Sequence, residues 1–404
     1  MHRTPLAQDP PPLPSSLPRG FRGAAGRAGI RTGPGDDLAL IVADDPVSTA
    51  AVFTTNRFAA APIELSRRHL AESRGRCRAL LVNAGNANAA TGDVGREDAR
   101  RSAEVLAAQV GAIPSQVLVD STGVIGRRLP VDGLCGALPS LASTLARESA
   151  ADLARAIMTT DTAAKGAERR VSAADGGAIS IVGICKGAGM IRPDMATMIG
   201  VVLTDAEIDP ESLDTLLRSS CARSFNRLSI DGDTSTNDAV FAMASGVAGV
   251  PHDLDEFSRA FEGLCLDLAR MIAADGEGAQ RVVEVEVRGA ESTEDAREVA
   301  ETVGSSLLVR TAIAGGDPNW GRIVAAIGRT NAAFDPDRIR IEVNGLRLFD
   351  QGKPVQDDLS ALAAAFSSPN VEMTIDLAAG SCEDRFLTCD LTAEYIRINA
   401  DYTT

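Results

Sequence analysis

The sequence predicts an α/β fold of the α+β kind, with mixed or antiparallel sheets layered against helices. Two observations carry this. Short apolar runs rich in β-branched residues, bounded by Gly, Asp and Asn, recur along the whole chain, and amphipathic helical stretches lie between several of them. The strand-like runs cluster and the helical ones cluster, whereas a doubly wound parallel sheet would alternate them strictly. No internal repeat is apparent.

Strands are expected at 38–42, 79–82, 116–120, 179–184, 200–204, 281–288, 338–343 and 371–377. Helical spacing marks 97–110 and 148–158. The clearest stripe runs over 254–272, where Leu254, Phe257, Phe261, Leu264, Leu268 and Met271 share one face. A further helix opens at Ser292, with Asp295 three residues on as in a capping box, and carries Ala296, Val299, Ala300, Val303 and Leu307. The end of the chain, Ile396-Arg-Ile-Asn399-Ala-Asp-Tyr402-Thr-Thr404, alternates like a strand. Residues 1–18 hold six of the 19 prolines and no apolar h-region, so they are expected to be a disordered leader and not a signal peptide. Cytoplasm is the default address.

Composition narrows the function. In 404 residues the formal net charge is −15 and basic residues form no run beyond pairs such as Arg67-Arg68, which argues against nucleic acid and against an anionic membrane surface. No apolar stretch is long enough to span a bilayer. Seven cysteines without a CxxC pair, and no HExxH, offer no zinc site; scattered in apolar surroundings, they read as reduced core thiols. His2, His69 and His252 are the only histidines and there is no GxSxG elbow, so the usual imidazole-assisted nucleophile has little to draw on. No dissociable cofactor and no metal is expected.

Thr197 is the most informative residue. It follows Ala196 at the end of the Gly- and Pro-broken run Lys186-Gly-Ala-Gly-Met-Ile-Arg-Pro-Asp-Met, and an apolar stretch comes next. It can simply open a strand. Were the Ala196–Thr197 bond cut, however, Thr197 would carry a free α-amine titrating near pH ~8 beside its own hydroxyl, so that one residue supplies nucleophile and base.

Other segments carry weaker signals. Asp120-Ser-Thr122-Gly123 ends a strand in a glycine turn, either an ordinary β-turn or a set of N–H and hydroxyl donors for an oxyanion. Asn83-Ala-Gly-Asn86-Ala-Asn88-Ala-Ala-Thr91-Gly92 is either a solvated loop or a polar pocket wall. Gly316–Gly321 has P-loop spacing, but Arg322 and Ile323 replace the Lys and Ser/Thr that grip phosphate and Mg²⁺, so no nucleotide is expected there. Asp231-Gly-Asp-Thr-Ser-Thr-Asn-Asp238 resembles the opening of a calcium loop, yet Thr236 and Ala242 stand where Gly and Glu are needed; a polar loop that positions a site fits better. Glu277, between glycines, can meet a substrate ammonium or be solvated.

Taken together these segments resemble the glutamate N-acetyltransferase/ornithine acetyltransferase family of arginine biosynthesis, the ArgJ family. The matching motifs include Val52-Phe-Thr-Thr-Asn-Arg57, Asn86-Ala-Asn, Asp120-Ser-Thr-Gly, Ile157-Met-Thr-Thr-Asp-Thr162, Lys186-Gly-Ala-Gly-Met, Ser224-Phe-Asn-Arg, Asp275-Gly-Glu-Gly, Asp317-Pro-Asn-Trp-Gly-Arg and Asn399-Ala-Asp-Tyr. They cover nearly all of the chain past residue 18. The resemblance implies a layered αββα sandwich of the DmpA/ArgJ-like kind and self-cleavage after Ala196, giving an α chain (19–196 beyond the leader) and a β chain (197–404), assembled as α2β2. It implies ping-pong acetyl transfer from N2-acetyl-L-ornithine to L-glutamate through an acetyl ester on Thr197, with Thr122 and Gly123 as oxyanion hole. Thr159, Lys186, Thr197, Glu277, Asn399 and Thr404 match its substrate-contacting positions. Use of acetyl-CoA as a second donor is left open. Two other outcomes stay open: a paralogous acyltransferase with another acceptor, and a related self-processing amidohydrolase or aminopeptidase. Cys185, Asp194, Gln280 and Arg281 depart from the family pattern, and Arg281, close in sequence to Glu277, is the departure expected to bear on substrate choice.

Overall fold

The computed structural model describes residues 12–192, 198–355 and 358–401. Of these, 12–226 and 233–268 form one compact unit, and 227–232 with 269–401 form another.

The larger unit contains, in chain order, β1 (Phe21–Gly26), β2 (Leu38–Phe53), α1 (Ala61–Glu72), β3 (Arg76–Asn86), α2 (Gly92–Val110), β4 (Val117–Val124), α3 (Val131–Ser143), α4 (Ala150–Ala156), β5 (Lys165–Ser172), β6 (Ala178–Lys186), β7 (Ile199–Thr204), α5 (Pro210–Arg223), β8 (Ala239–Ala244) and most of α6 (Leu254–Ala274). Its sheet runs β4-β3-β2-β8-β7-β6-β5, with β1 added against β2. Pairs β3/β4 and β7/β8 are parallel and the rest antiparallel, the mixed sheet that the clustered pattern predicts.

The first half of β2 is an unbroken apolar run because both faces are buried. Ala39, Ile41 and Ala43 pack on one side with Ala150, Leu153 and Ala154 of α4. Leu38, Leu40 and Val42 pack on the other with Ala103 and Leu106 of α2 and Leu134 and Leu138 of α3. α5 starts where Asp209 accepts the N–H groups of Glu211 and Ser212, with Pro210 in the first turn.

The smaller unit continues with β9 (Val282–Ala290), α7 (Thr293–Gly304), α8 (Leu307–Ala314), α9 (Trp320–Ile327), β10 (Arg340–Val343), β11 (Leu346–Asp350), β12 (Lys353–Pro354), α10 (Leu359–Phe366), β13 (Asn370–Asp376), β14 (Cys382–Cys389) and α11 (Ala393–Asp401). Its sheet order is β12-β11-β10-β13-β9-β14, with β13 and β9 parallel. Val283, Val285 and Val287 of β9 point inward at period two and meet Ala296, Val299 and Val303 of α7. Ser292 caps α7 by accepting the Asp295 N–H at 3.0 Å, as its capping pattern predicts.

Three expectations are corrected. The chain end is a helix, α11, as far as the described residues go; it buries none of those residues, and Ile396 is exposed. The helix expected to reach Leu307 stops at Gly304, because Ser306 caps a new one through the Val309 N–H and leaves Leu307 exposed. The leader ends before residue 18: Leu17 and Pro18 are buried, and Leu17 exchanges backbone and side-chain hydrogen bonds with Arg147. Residues 1–11 lie outside the described residues. The Gly316–Gly321 spacing belongs to the turn between α8 and α9, where Asn319 caps α9 by accepting the Arg322 N–H at 3.1 Å. Six of the seven cysteines are buried free thiols and Cys382 is partly exposed. Among the described residues no helix is long and apolar enough to cross a membrane.

Candidate active site

A buried polar cluster forms in the larger unit where β4, β6 and the segments ahead of β5, β7 and β8 come together. Lys186, the last residue of β6, is 3% exposed and donates from Nζ to Thr122 Oγ1 at 3.3 Å. Asp161 lies 3.9 Å from the same Nζ. Its carboxylate also accepts Lys165 Nζ at 2.7 Å, the Gly187 N–H at 2.6 Å and the Thr159 N–H at 3.0 Å. Burial alone would push Asp161 up; the charges of Lys165 and Lys186, with these hydrogen bonds, overcome it and hold the carboxyl well below its usual range. Asp161 thus stays ionised and fixes both Lys186 and the backbone of Thr159.

Gly123 follows Thr122 at a φ of +130°, a conformation that side chains rarely adopt. It is also where β4 presses closest on β3. A Cβ there would lie 2.6 Å from Asn86 N and 2.7 Å from Gly85 Cα, and closer still to the Gly85 carbonyl carbon. The β3/β4 register shifts at that point. The asparagine run that ends β3 and continues past it builds this corner. Asn83 donates to the Asn86 carbonyl and accepts the Ser121 hydroxyl at 2.6 Å. Asn86 donates to the carbonyls of Arg127 and Arg128, and Asn88 to that of Gly95. All three are buried, so the run is a polar wall and not a solvated loop.

The segment 234–238, read from the sequence as a positioning loop, is tied down by hydrogen bonds along its length. Asn237 donates to the Ala87 carbonyl at 2.8 Å, Asn56 to that of Thr234, and Thr54 to that of Ser235. Asp238 Oδ1 accepts the Met198 N–H at 3.0 Å, and the Ala239 N–H returns to the Met198 carbonyl at 3.1 Å. Met198 is thereby pinned on both sides, immediately after Thr197 in the chain. Ala196, Thr197 and Thr404 themselves lie outside the described residues.

Sequence reasoning missed four charged members of this cluster. Asp120, Asp161 and Asp238 stand inside motifs singled out for their neighbours, and Lys165 stands in none. Burial pushes Asp120 and Asp238 well above the ordinary carboxylate range; Lys186 offsets this in part for both, while the Asp120 charge raises Asp238 further. The one signal available was an acidic residue flanked by small polar ones in each motif.

In the smaller unit Asn399 Nδ2 donates to Glu277 Oε2 at 2.9 Å. Gly278 lets the Glu277 turn lie flat against the start of α11: at φ +73°, its Cβ would fall 2.9 Å from the Glu394 carbonyl carbon. Thr392 fastens the same turn by donating to the Gly278 carbonyl at 2.7 Å. Arg281, expected to bear on substrate choice, is instead occupied. It pairs with the buried Asp390 at 3.2 Å and donates to the Ala314 carbonyl. His69 is buried with Nδ1 on the Val117 carbonyl at 2.8 Å, a structural post.

The larger unit is thus a mixed α/β body that carries a buried Lys–Asp–Thr cluster beside a glycine corner. The model of the ArgJ family matches residues 22–404. The arginine biosynthesis bifunctional protein ArgJ of Nitratidesulfovibrio vulgaris is 45% identical over 392 residues, 96% of this chain and 99% of its own. That of Thermus thermophilus is 45% identical over 389 residues, again 96% and 99%. A crystal structure of the Bacillus halodurans protein, 40% identical, overlaps 50% of this chain and 98% of its own with a TM-score of 0.48. The chain belongs to the ArgJ family, and with it to the acyltransferases of arginine biosynthesis.

Proposed function

We propose that this chain transfers an acetyl group from N2-acetyl-L-ornithine to L-glutamate, yielding L-ornithine and N-acetyl-L-glutamate, with Thr197 as nucleophile. Cleavage after Ala196 separates an α chain ending there from a β chain, 197–404, and exposes the Thr197 amine; the pairs assemble as α2β2. Thr197 Oγ attacks the acetyl carbonyl while the amine takes its proton and passes it to the departing nitrogen. The C–N bond of the donor breaks, ornithine leaves, and the glutamate amine attacks the acetyl ester in a second half-reaction.

The observation that carries this reading is the Lys186 ammonium on the Thr122 hydroxyl, beside the Gly123 corner. An oxyanion there would meet the Thr122 hydroxyl, the Gly123 N–H and a nearby positive charge, held in place before the reaction. Lys186 also suits a substrate carboxylate, and the Glu277–Asn399 pair suits a substrate ammonium; Thr159 and Thr404 complete the contacts. The word bifunctional in the relatives' names fits a second donor, and acetyl-CoA is the one to assay.

The test supplies purified protein with N2-acetyl-L-ornithine and either glutamate or water alone. One N-acetylglutamate per ornithine released, with little acetate, supports the proposal. Acetate in place of N-acetylglutamate would make the chain a hydrolase, and transfer only to another acceptor would make it a specialised paralogue.

A further inference from the structure

The segment between β1 and β2 carries an arginine, Arg31, that the acetyl-transfer scheme does not use. Asp37, fully buried, gathers this segment: its carboxylate accepts the N–H groups of Ala28 and Ile30 at 2.6 Å and that of Arg31 at 3.3 Å. The Asp37 backbone carbonyl accepts the Ala84 N–H at 2.9 Å, which ties the segment to β3. One residue further on, Gly85 pairs with Gly123 across the β3/β4 ladder. Gly85, at φ +109°, presses on Arg31: a Cβ there would lie 2.7 Å from Arg31 Cβ and 2.9 Å from its Cα. The backbones of Arg31, Gly85 and Gly123 therefore lie against one another, and the glycine corner fixes where Arg31 stands.

Its side chain reaches a second part of the site. Arg31 Nη1 donates to the Met158 carbonyl at 3.3 Å, and Met158 precedes Thr159, whose N–H Asp161 holds at 3.0 Å. Nη2 donates to the Pro34 carbonyl at 3.0 Å. Arg31 and Thr159 are both half-buried, whereas Lys165 and Lys186 are enclosed. A guanidinium has five N–H donors. The two carbonyls take two of them, and Nε has no hydrogen-bond partner among the described residues. No carboxylate among the described residues pairs with Arg31; both of its hydrogen-bond partners are neutral. Each terminal nitrogen keeps one N–H to spare, and such a fork suits a carboxylate.

The chemistry of the two half-reactions calls for such a group. Donor and acceptor react at the same atom, the α-nitrogen, and each carries an α-carboxylate beside it. Their far ends have opposite charge: ornithine ends in an ammonium, glutamate in a second carboxylate. The Glu277 carboxylate that suits the first would repel the second. Lys165 is committed to Asp161 at 2.7 Å, and Lys186 is the group suited to the shared α-carboxylate. We propose that Arg31 receives the second carboxylate of the acceptor and thereby selects glutamate over neutral amino acids of the same shape. This rests on the acetyl-transfer reading above.

The test measures kcat/KM for L-glutamate and for L-glutamine, nearly the same shape without the second charge, with N2-acetyl-L-ornithine as donor. The full chain is compared with Arg31→Gln and Arg31→Lys, and melting temperatures verify folding. Wild type should prefer glutamate. Arg31→Gln should cut the ratio of the two kcat/KM values about 10- to 100-fold, chiefly through KM for glutamate. Arg31→Lys, which keeps the charge and loses the fork, should fall between the two. An arginine that only fastens its segment to the Met158 carbonyl would lower both acceptors alike, so an unchanged ratio in the variants would overturn the proposal. A wild type that takes glutamine as readily as glutamate would overturn it without any variant. A wild type that transfers acetyl to neither, nor to any other amino acid, would instead overturn the acetyl-transfer reading.

Discussion

Gly123→Ala puts the glycine corner under the most direct strain. The native φ of +130° lies outside the regions open to alanine, at a cost of about 1–3 kcal/mol. The new methyl would also sit 2.6 Å from Asn86 N and 2.7 Å from Gly85 Cα, well inside van der Waals contact. These neighbours are backbone of a paired strand, with Asn83 and Asn86 hydrogen-bonded around them, so they cannot rotate away as a side-chain tip can. Forcing extra volume into such a place costs about 1–3 kcal/mol more. The sum, roughly 2–6 kcal/mol, corresponds to a fall in Tm of about 5–20 °C for a body of this size. Relief by displacing residue 123 would move its N–H from the proposed oxyanion position, with a loss of about 10²–10³ in kcat. Thermal unfolding and steady-state acetyl transfer, measured on one preparation, read both effects. An alanine variant with the wild-type Tm and kcat would refute the close approach and the donor role together.

Lys165→Met removes one partner of a nearly solvent-free ion pair and should destabilise the fold by about 3–5 kcal/mol, read from denaturant unfolding; a change within the error of extrapolation would show that Asp161 does not depend on Lys165. Asp120 and Asp238 are raised, so the native state keeps a proton that the unfolded chain releases near pH ~4. Their stabilisation is complete below that pH and fades as pH rises towards their folded values, by up to about 1.4 kcal/mol per pH unit for each proton kept. Asp161 is depressed and works the other way, its contribution present above pH ~4 and lost as pH falls below it. Unfolding free energies of wild type and Asp120→Asn between pH ~5 and ~8 should therefore show a shallower slope in the variant, and equal slopes would count against the retained proton. Glu277→Gln should raise KM for the ammonium-bearing substrate about 10- to 100-fold while kcat changes little, since it removes a charge-assisted contact of about 1.5–3 kcal/mol. An unchanged KM would remove Glu277 from the binding site.

Much of the fold was legible because burial leaves a period in the sequence. β9 shows its alternating valines and α6 its single apolar stripe, and both are where the pattern puts them. The errors arise where that link is weak. The Ile-Arg-Ile alternation near the C-terminus is a short run in a helix that buries none of its described residues, so no core imposed a helical period on it. The break at Ser305–Ser306 is a local contest between continuing α7 and capping α8, which the apolar spacing of Val303 and Leu307 conceals. Helices α1, α3, α5, α8, α9 and α10 passed unnoticed; α3 even carries an internal proline, Pro139.

At the site, Thr122 and Gly123 stood out as a glycine turn after a strand, whereas Lys186 was reached only through the family resemblance. The carboxylates did not stand out. Asp238 reaches Met198 from 40 positions away, and Asp120 becomes unusual only by being buried near Lys186. A residue's loss of solvent is a property of the folded sheet, with no counterpart in residue spacing. Arg281 shows the converse: proximity in sequence suggested an effect on Glu277, and the fold gives its side chain to Asp390 instead.

The most direct test of the central claim is to mix the protein with N2-acetyl-L-ornithine in the absence of glutamate, quench it in acid and weigh the fragments. Acetyl transfer through Thr197 predicts two chains, with the one beginning at Thr197 heavier by a single acetyl group that glutamate then removes, and no acetylation of a Thr197→Ala variant. Ornithine release with no acetyl group on that chain, or from an uncleaved protein, would contradict it.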